Sequence, residues 1–90
     1  MTTERWQTFS KREQLLFIGS EFERARVWQR DSDVDKFKSA LARALELIDL
    51  TISDKKWLEE IDMIIGLREA VSKFYTGEDV SEIHKLYQAL

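Results

Sequence analysis

Four consecutive apolar residues, Leu15, Leu16, Phe17 and Ile18, lie inside a stretch that otherwise has the pattern of a soluble amphipathic helix. A helix turns successive side chains by about 100°, so these four point in different directions and no single face buries them all. For a helix from about Lys11 to Arg30, Leu15, Ile18, Phe22 and Ala25 share one stripe. Leu16 and Val27 fall on a second side, Phe17 and Trp28 on a third. A helix with apolar side chains on three sides is either central in its domain or covered by a partner chain.

The chain contains three glycines and no proline in 90 residues, so nothing forces a helix to break. Its 43% hydrophobic and 34% charged content argues against disorder. Residues 1–90 are read as one small domain, burying roughly 60 to 70% of its unfolded surface, a margin that a dimer interface widens. The absence of cysteine excludes disulfides, thiolate zinc sites and cysteine nucleophiles. No apolar run approaches the ~20 residues of a membrane span, and Met-Thr-Thr-Glu-Arg at the start lacks the regions of a signal peptide. A cytoplasmic protein is the expectation. The net charge of -3 argues against general affinity for nucleic acid. Residues 1–30 carry six Lys or Arg against four acids, an excess too small for a basic patch.

The caps predict an all-α, up-down bundle of three long helices plus a short C-terminal helix. Ser10-Lys11-Arg12-Glu13 has the capping-box pattern and opens the first long helix. Ahead of it, Trp6 and Phe9 form a helical turn or a strap closing one end of the bundle. Arg30-Asp31-Ser32-Asp33 is a polar break, and the second helix, about Val34 to Ile52, follows as an antiparallel neighbour. Ser53-Asp54 caps a third helix from about Lys55 to Thr76, with Trp57, Ile61, Ile64, Val71 and Tyr75 on its stripe, and Gly77 fits a left-handed terminus. Asp79-Val80-Ser81-Glu82 resembles a further capping box before Ile83, Leu86, Tyr87 and Leu90. Phe22, Leu41, Ile48, Ile61, Ile64 and Val71 are the predicted core. Gly19-Ser20 and Gly66 are tolerated where a neighbour approaches closely, or are simply exposed.

No catalytic, cofactor-binding or metal-binding constellation stands out. His84, the only histidine, lies two residues after Glu82, which on a helix turns the two side chains about 200° apart and prevents chelation. Glu59, Glu60 and Asp62 suit the positive end of a helix and are read as solvated surface. Arg26, Glu60 and Arg68 fall within apolar arcs, where an unpaired charge is costly, and form either structural pairs or a small-anion pocket. The remaining apolar sides of the first helix are assigned to association: Leu16, Phe17, Glu21, Arg24, Val27 and Trp28 form the predicted interface of a twofold homodimer.

The run Ala-Leu-Ala-Arg-Ala-Leu-Glu-Leu-Ile at Ala40–Ile48, in a compact cysteine-free chain of four helices, resembles small prokaryotic HEPN-like bundles. The resemblance implies a two-component cassette, with the chain an RNA-binding module or the partner of a nucleotidyltransferase. The family's nuclease signature, an Arg followed after four to six residues by His, is missing: the arginine nearest upstream of His84 is Arg68, sixteen residues away. The expectation is a non-enzymatic, self-associating helical protein, with a heterologous protein partner as a further possibility and no metal or cofactor.

Overall fold

The computed structural model describes residues 1–88 and residue 90, and among these there is no strand. The order is α1 (Thr3–Gln7), α2 (Lys11–Arg30), α3 (Val34–Ile52), a 3-10 helix (Lys55–Glu60), α4 (Ile61–Thr76) and α5 (His84–Gln88). None of the described helices is long and apolar enough to cross a membrane.

The ends of the helices follow from local chemistry. Both halves of the capping box form at α2: the Glu13 amide donates to Ser10 Oγ at 3.1 Å and the Ser10 amide to Glu13 Oε1 at 2.9 Å. These bonds to Ser10 hold the Glu13 carboxyl below its usual range. Between α2 and α3 the chain reverses through Ser32 at φ 57, a left-handed position taken here by a residue other than glycine. Asp33 then caps α3 by accepting from the Lys36 amide. Gly77, at φ 83, ends α4 in the left-handed geometry that its missing Cβ permits.

The predicted third helix is two pieces. Residues 55–60 wind as a 3-10 helix capped by Asp54, and the α-helix starts only at Ile61. A three-residue turn eclipses positions three apart, so Trp57 and Glu60 stack on one side and both reach α2, Trp57 at Gln14 and Glu60 at Lys11. The stripe on α4 also shifts, with Phe74 buried and Tyr75 exposed under Lys38. Ile61, at the junction, is half-buried instead of core. Phe22, Leu41, Ile48, Ile64 and Val71 are buried as predicted.

α3 is the central layer, packing on α2 along one side and α4 along the other, while α5 bridges α2 and α4. The last helix also starts later than the capping-box reading placed it. Asp79 folds back on Ser81 instead, accepting from its amide at 2.9 Å and its hydroxyl at 2.6 Å. α2 then anchors the entry to α5: Gln29 donates to the Ser81 carbonyl at 2.8 Å and accepts from the Ile83 amide at 2.9 Å.

Candidate association surface

The inward side of α2 carries Ile18, Phe22 and Ala25, all buried, and the same stripe begins with a polar residue, Gln14, at 0% exposure. A buried amide has to satisfy its own donors and acceptor. Gln14 does so by tying three segments together. Its Nε2 donates to the Trp6 carbonyl at 2.8 Å and to Asp54 Oδ2 at 3.0 Å, and its Oε1 accepts from the Trp57 indole at 2.6 Å. The Trp6 indole meanwhile donates to Thr51 Oγ1 at 3.0 Å, and that hydroxyl donates to the Leu47 carbonyl at 2.8 Å. Burial pushes the Asp54 carboxyl up, but bonds from Lys56 and Gln14 outweigh it and hold the group below its usual range. This network is a structural staple at one end of the bundle.

Glu21 is the second buried polar group of α2. Its carboxylate accepts from Arg24 Nη1 at 2.7 Å and from Arg43 Nε of α3 at 3.0 Å. Of the six residues assigned to an interface, Glu21 is therefore enclosed between α2 and α3, while Arg24 touches that carboxylate through Nη1 and stays exposed on the surface of α2. Phe17 is covered in part by Trp6 and Phe9, with ring centroids at 5.9 and 5.0 Å. Trp28 is half-buried against the core, with the Lys36 ammonium 4.5 Å above its ring. Val27 is half-buried. Leu16 is the most exposed of the apolar four, at 58%, followed by Phe17 at 41%. The six thus divide: Glu21 is enclosed, Val27 and Trp28 are half-buried, and Leu16, Phe17 and Arg24 remain exposed.

The Leu16 side forms a groove of about 830 Å³ between α2 and α5. Arg12, Leu16, Ser20, Glu23 and Arg24 line it from α2, and Tyr87 lies opposite with Leu90 beyond it. Its floor is Gly19, where a Cβ would come within 3.2 Å of the Tyr87 ring and 3.3 Å of Leu90 Cδ1. Tyr87 and Leu90 thus leave little room for a Cβ at this position. A smaller cleft of about 220 Å³, lined by Leu15, Met63, Gly66 and Leu67 among others, continues past the end of α5 toward α4. Ser20 Oγ donates to the Leu16 carbonyl at 2.9 Å, so its hydroxyl is satisfied within the helix.

The three charges within apolar arcs resolve into separate pairs on the surface. Arg26 meets Glu23 at 3.3 Å, Glu60 meets Lys11 at 2.9 Å and Arg68 meets Asp49 at 2.6 Å, each with substantial exposure. They do not converge on an anion pocket, and the bonds that Arg68 donates to Asp49, with the carboxylate's charge, push the Arg68 guanidinium up. His84 stacks on Tyr87 with centroids 6.0 Å apart, and its Nδ1 is buried without a hydrogen-bond partner among the described residues. No group of three His, Cys, Asp or Glu among the described residues has the arrangement to hold a metal ion.

Gln14, Thr51 and Gln29 escaped sequence reasoning, and Asp54, correctly read as a helix cap, was not seen as a partner of Gln14. A signal existed for Gln14, which stands one turn before Ile18 on the apolar stripe of a chain rich in tryptophan. Comparison with protein-family models, curated proteins and solved structures finds no match for this chain.

Proposed function

We propose that this is a non-enzymatic helical-bundle protein of the cytoplasm that works by association, with the outward face of α2 docking on a second copy of the chain. The observation that carries the reading is Leu16, a large aliphatic residue left 58% exposed in mid-helix, beside Tyr87 at 40% and Leu90 at 39%. Isolated exposed apolar residues are ordinary, but here three of them line one groove rimmed by charges of both signs, Arg12 and Arg24 with Glu23. A surface with both signs on one stripe is able to complement itself, as a twofold contact requires. In this reading the display of paired α2 faces is the activity, and any heterologous protein meets the assembled dimer.

Light scattering on a dilution series tests the proposal. The wild-type chain is expected to show a concentration-dependent mass reaching that of a dimer, and Leu16→Glu a monomer with unchanged helicity. A Leu16→Glu chain that dimerises as the wild type does would remove the face from consideration.

A further inference from the structure

We propose that the apolar cleft between α2, α4 and α5 takes up the alkyl chain of a medium-chain fatty acid, with the Arg12 guanidinium at its mouth holding the carboxylate. The cleft, of about 220 Å³, is walled by Leu15 of α2, by Met63, Gly66 and Leu67 of α4, and by Leu86 of α5 with Leu90 beyond it. Among the described residues every one that lines it is apolar or glycine, so water inside has no side chain to bond. Gly66 shows that the chain does not fill this space itself. A Cβ built at Gly66 meets nothing within 4 Å, and the backbone there is not left-handed. Neither close packing nor backbone geometry calls for glycine, although glycine weakens a helix interior relative to alanine. Met63, at 53% exposure, gives the cleft one adaptable wall.

Charge places the head group. The cleft shares Leu15 and Leu90 with the larger groove on α2, whose charged residues are Arg12, Glu23 and Arg24. Glu23 is paired with Arg26, and Arg24 with Glu21. Lys11, next to Arg12, is engaged by Glu60. Arg12 is exposed and makes no ion pair among the described residues, so its charge is the one left uncompensated along this edge. It stands one turn before Leu15 on the same side of α2, about 4.5 Å away along the axis, so a chain seated at Leu15 runs out past it. A guanidinium there meets a carboxylate through two parallel hydrogen bonds and repels a cationic head. The cleft is larger than the ~150 Å³ at which an aliphatic cavity takes up benzene, which suits an alkyl chain of more than six carbons. Leu16 does not line it, so the site does not rest on self-association.

Calorimetric titration with decanoate, below the concentration at which it forms micelles, tests the site. The wild-type chain should bind one equivalent, and should bind decyltrimethylammonium about tenfold more weakly or worse. Gly66→Leu, whose side chain fills the cleft, should abolish decanoate binding while unfolding at the wild-type temperature or above and associating as the wild type does. Arg12→Gln should weaken decanoate about tenfold and leave decanol unchanged. A wild-type chain that takes up no decanoate, a Gly66→Leu chain that binds it as well as the wild type, or a Gly66→Leu chain of lowered stability would overturn the site. Decanoate held no more tightly than decyltrimethylammonium, or indifferent to Arg12→Gln, would overturn the role of Arg12. Binding to anionic lipid vesicles without binding to decanoate would assign this edge to a membrane surface and overturn the proposal as well.

Discussion

The two sides of α2 invert the usual distribution of side chains. Inside, next to Ile18 and Phe22, sit an amide and a carboxylate, Gln14 and Glu21, both nearly inaccessible. Outside, an aliphatic residue, Leu16, is more than half exposed. The inner polar groups are partnered, Gln14 through three hydrogen bonds and Glu21 through two arginines, which offsets the cost of their burial and fixes how the segments meet. The outer leucine has no such account within the chain. Polarity at a position therefore reports whether partners exist, and only secondarily whether the position is inside or out.

The comparison predicts effects of graded size. The largest belongs to the inner apolar stripe: Phe22→Ala should destabilise the chain by about 3 to 5 kcal/mol in denaturant unfolding. A loss below ~1 kcal/mol would mean that the α2 stripe is misplaced. Next, Gln14→Ala should cost about 2 to 4 kcal/mol, because it strands the buried Trp57 indole donor as well as leaving a cavity. Gln14→Glu, which keeps the acceptor for Trp57 but brings a second carboxylate against Asp54, should be destabilising at neutral pH and partly recover on acidification. Equal stability of Gln14→Ala and wild type would show that the staple carries no weight.

The smallest effect is expected at the far end of the bundle. Bonds from Lys85 and then from Ser81 lower the Asp79 carboxyl to about 2. A carboxyl whose pKa is depressed in the folded state stabilises the fold fully above its unfolded value near 4 and loses that contribution as pH falls through about 2. Amide exchange at Ser81 and Lys85 should therefore quicken in that acid window and stay slow above it. In Asp79→Asn the acid step should vanish, whereas an unchanged step would assign it to another group.

Much of the architecture was legible because it rests on short-range chemistry. The capping box at Ser10, the polar break before Val34 and the glycine at position 77 each report backbone geometry within a few residues, and the helices end there. The division of the third helix was hidden because its cause is distant: Trp57 and Glu60 are turned toward Gln14 and Lys11, more than forty residues away. The same holds for the start of α5, which Gln29 anchors from α2. On the candidate surface, periodicity correctly separated Leu16 from the Ile18 stripe. It had no means of telling that α1 folds back over Phe17 or that Arg43 claims Glu21. Arg12, Ser20 and Glu23 joined Leu16 only once α5 was placed beside them.

Sedimentation equilibrium on the wild-type chain beside Leu16→Glu tests the central claim, that the outward face of α2 is an interface, most directly. The account predicts twice the chain mass for the wild type at high micromolar concentration and a single chain mass for the variant, both with the same helical content. A wild type that sediments as a monomer at that concentration, or a variant that sediments as a dimer, would contradict it.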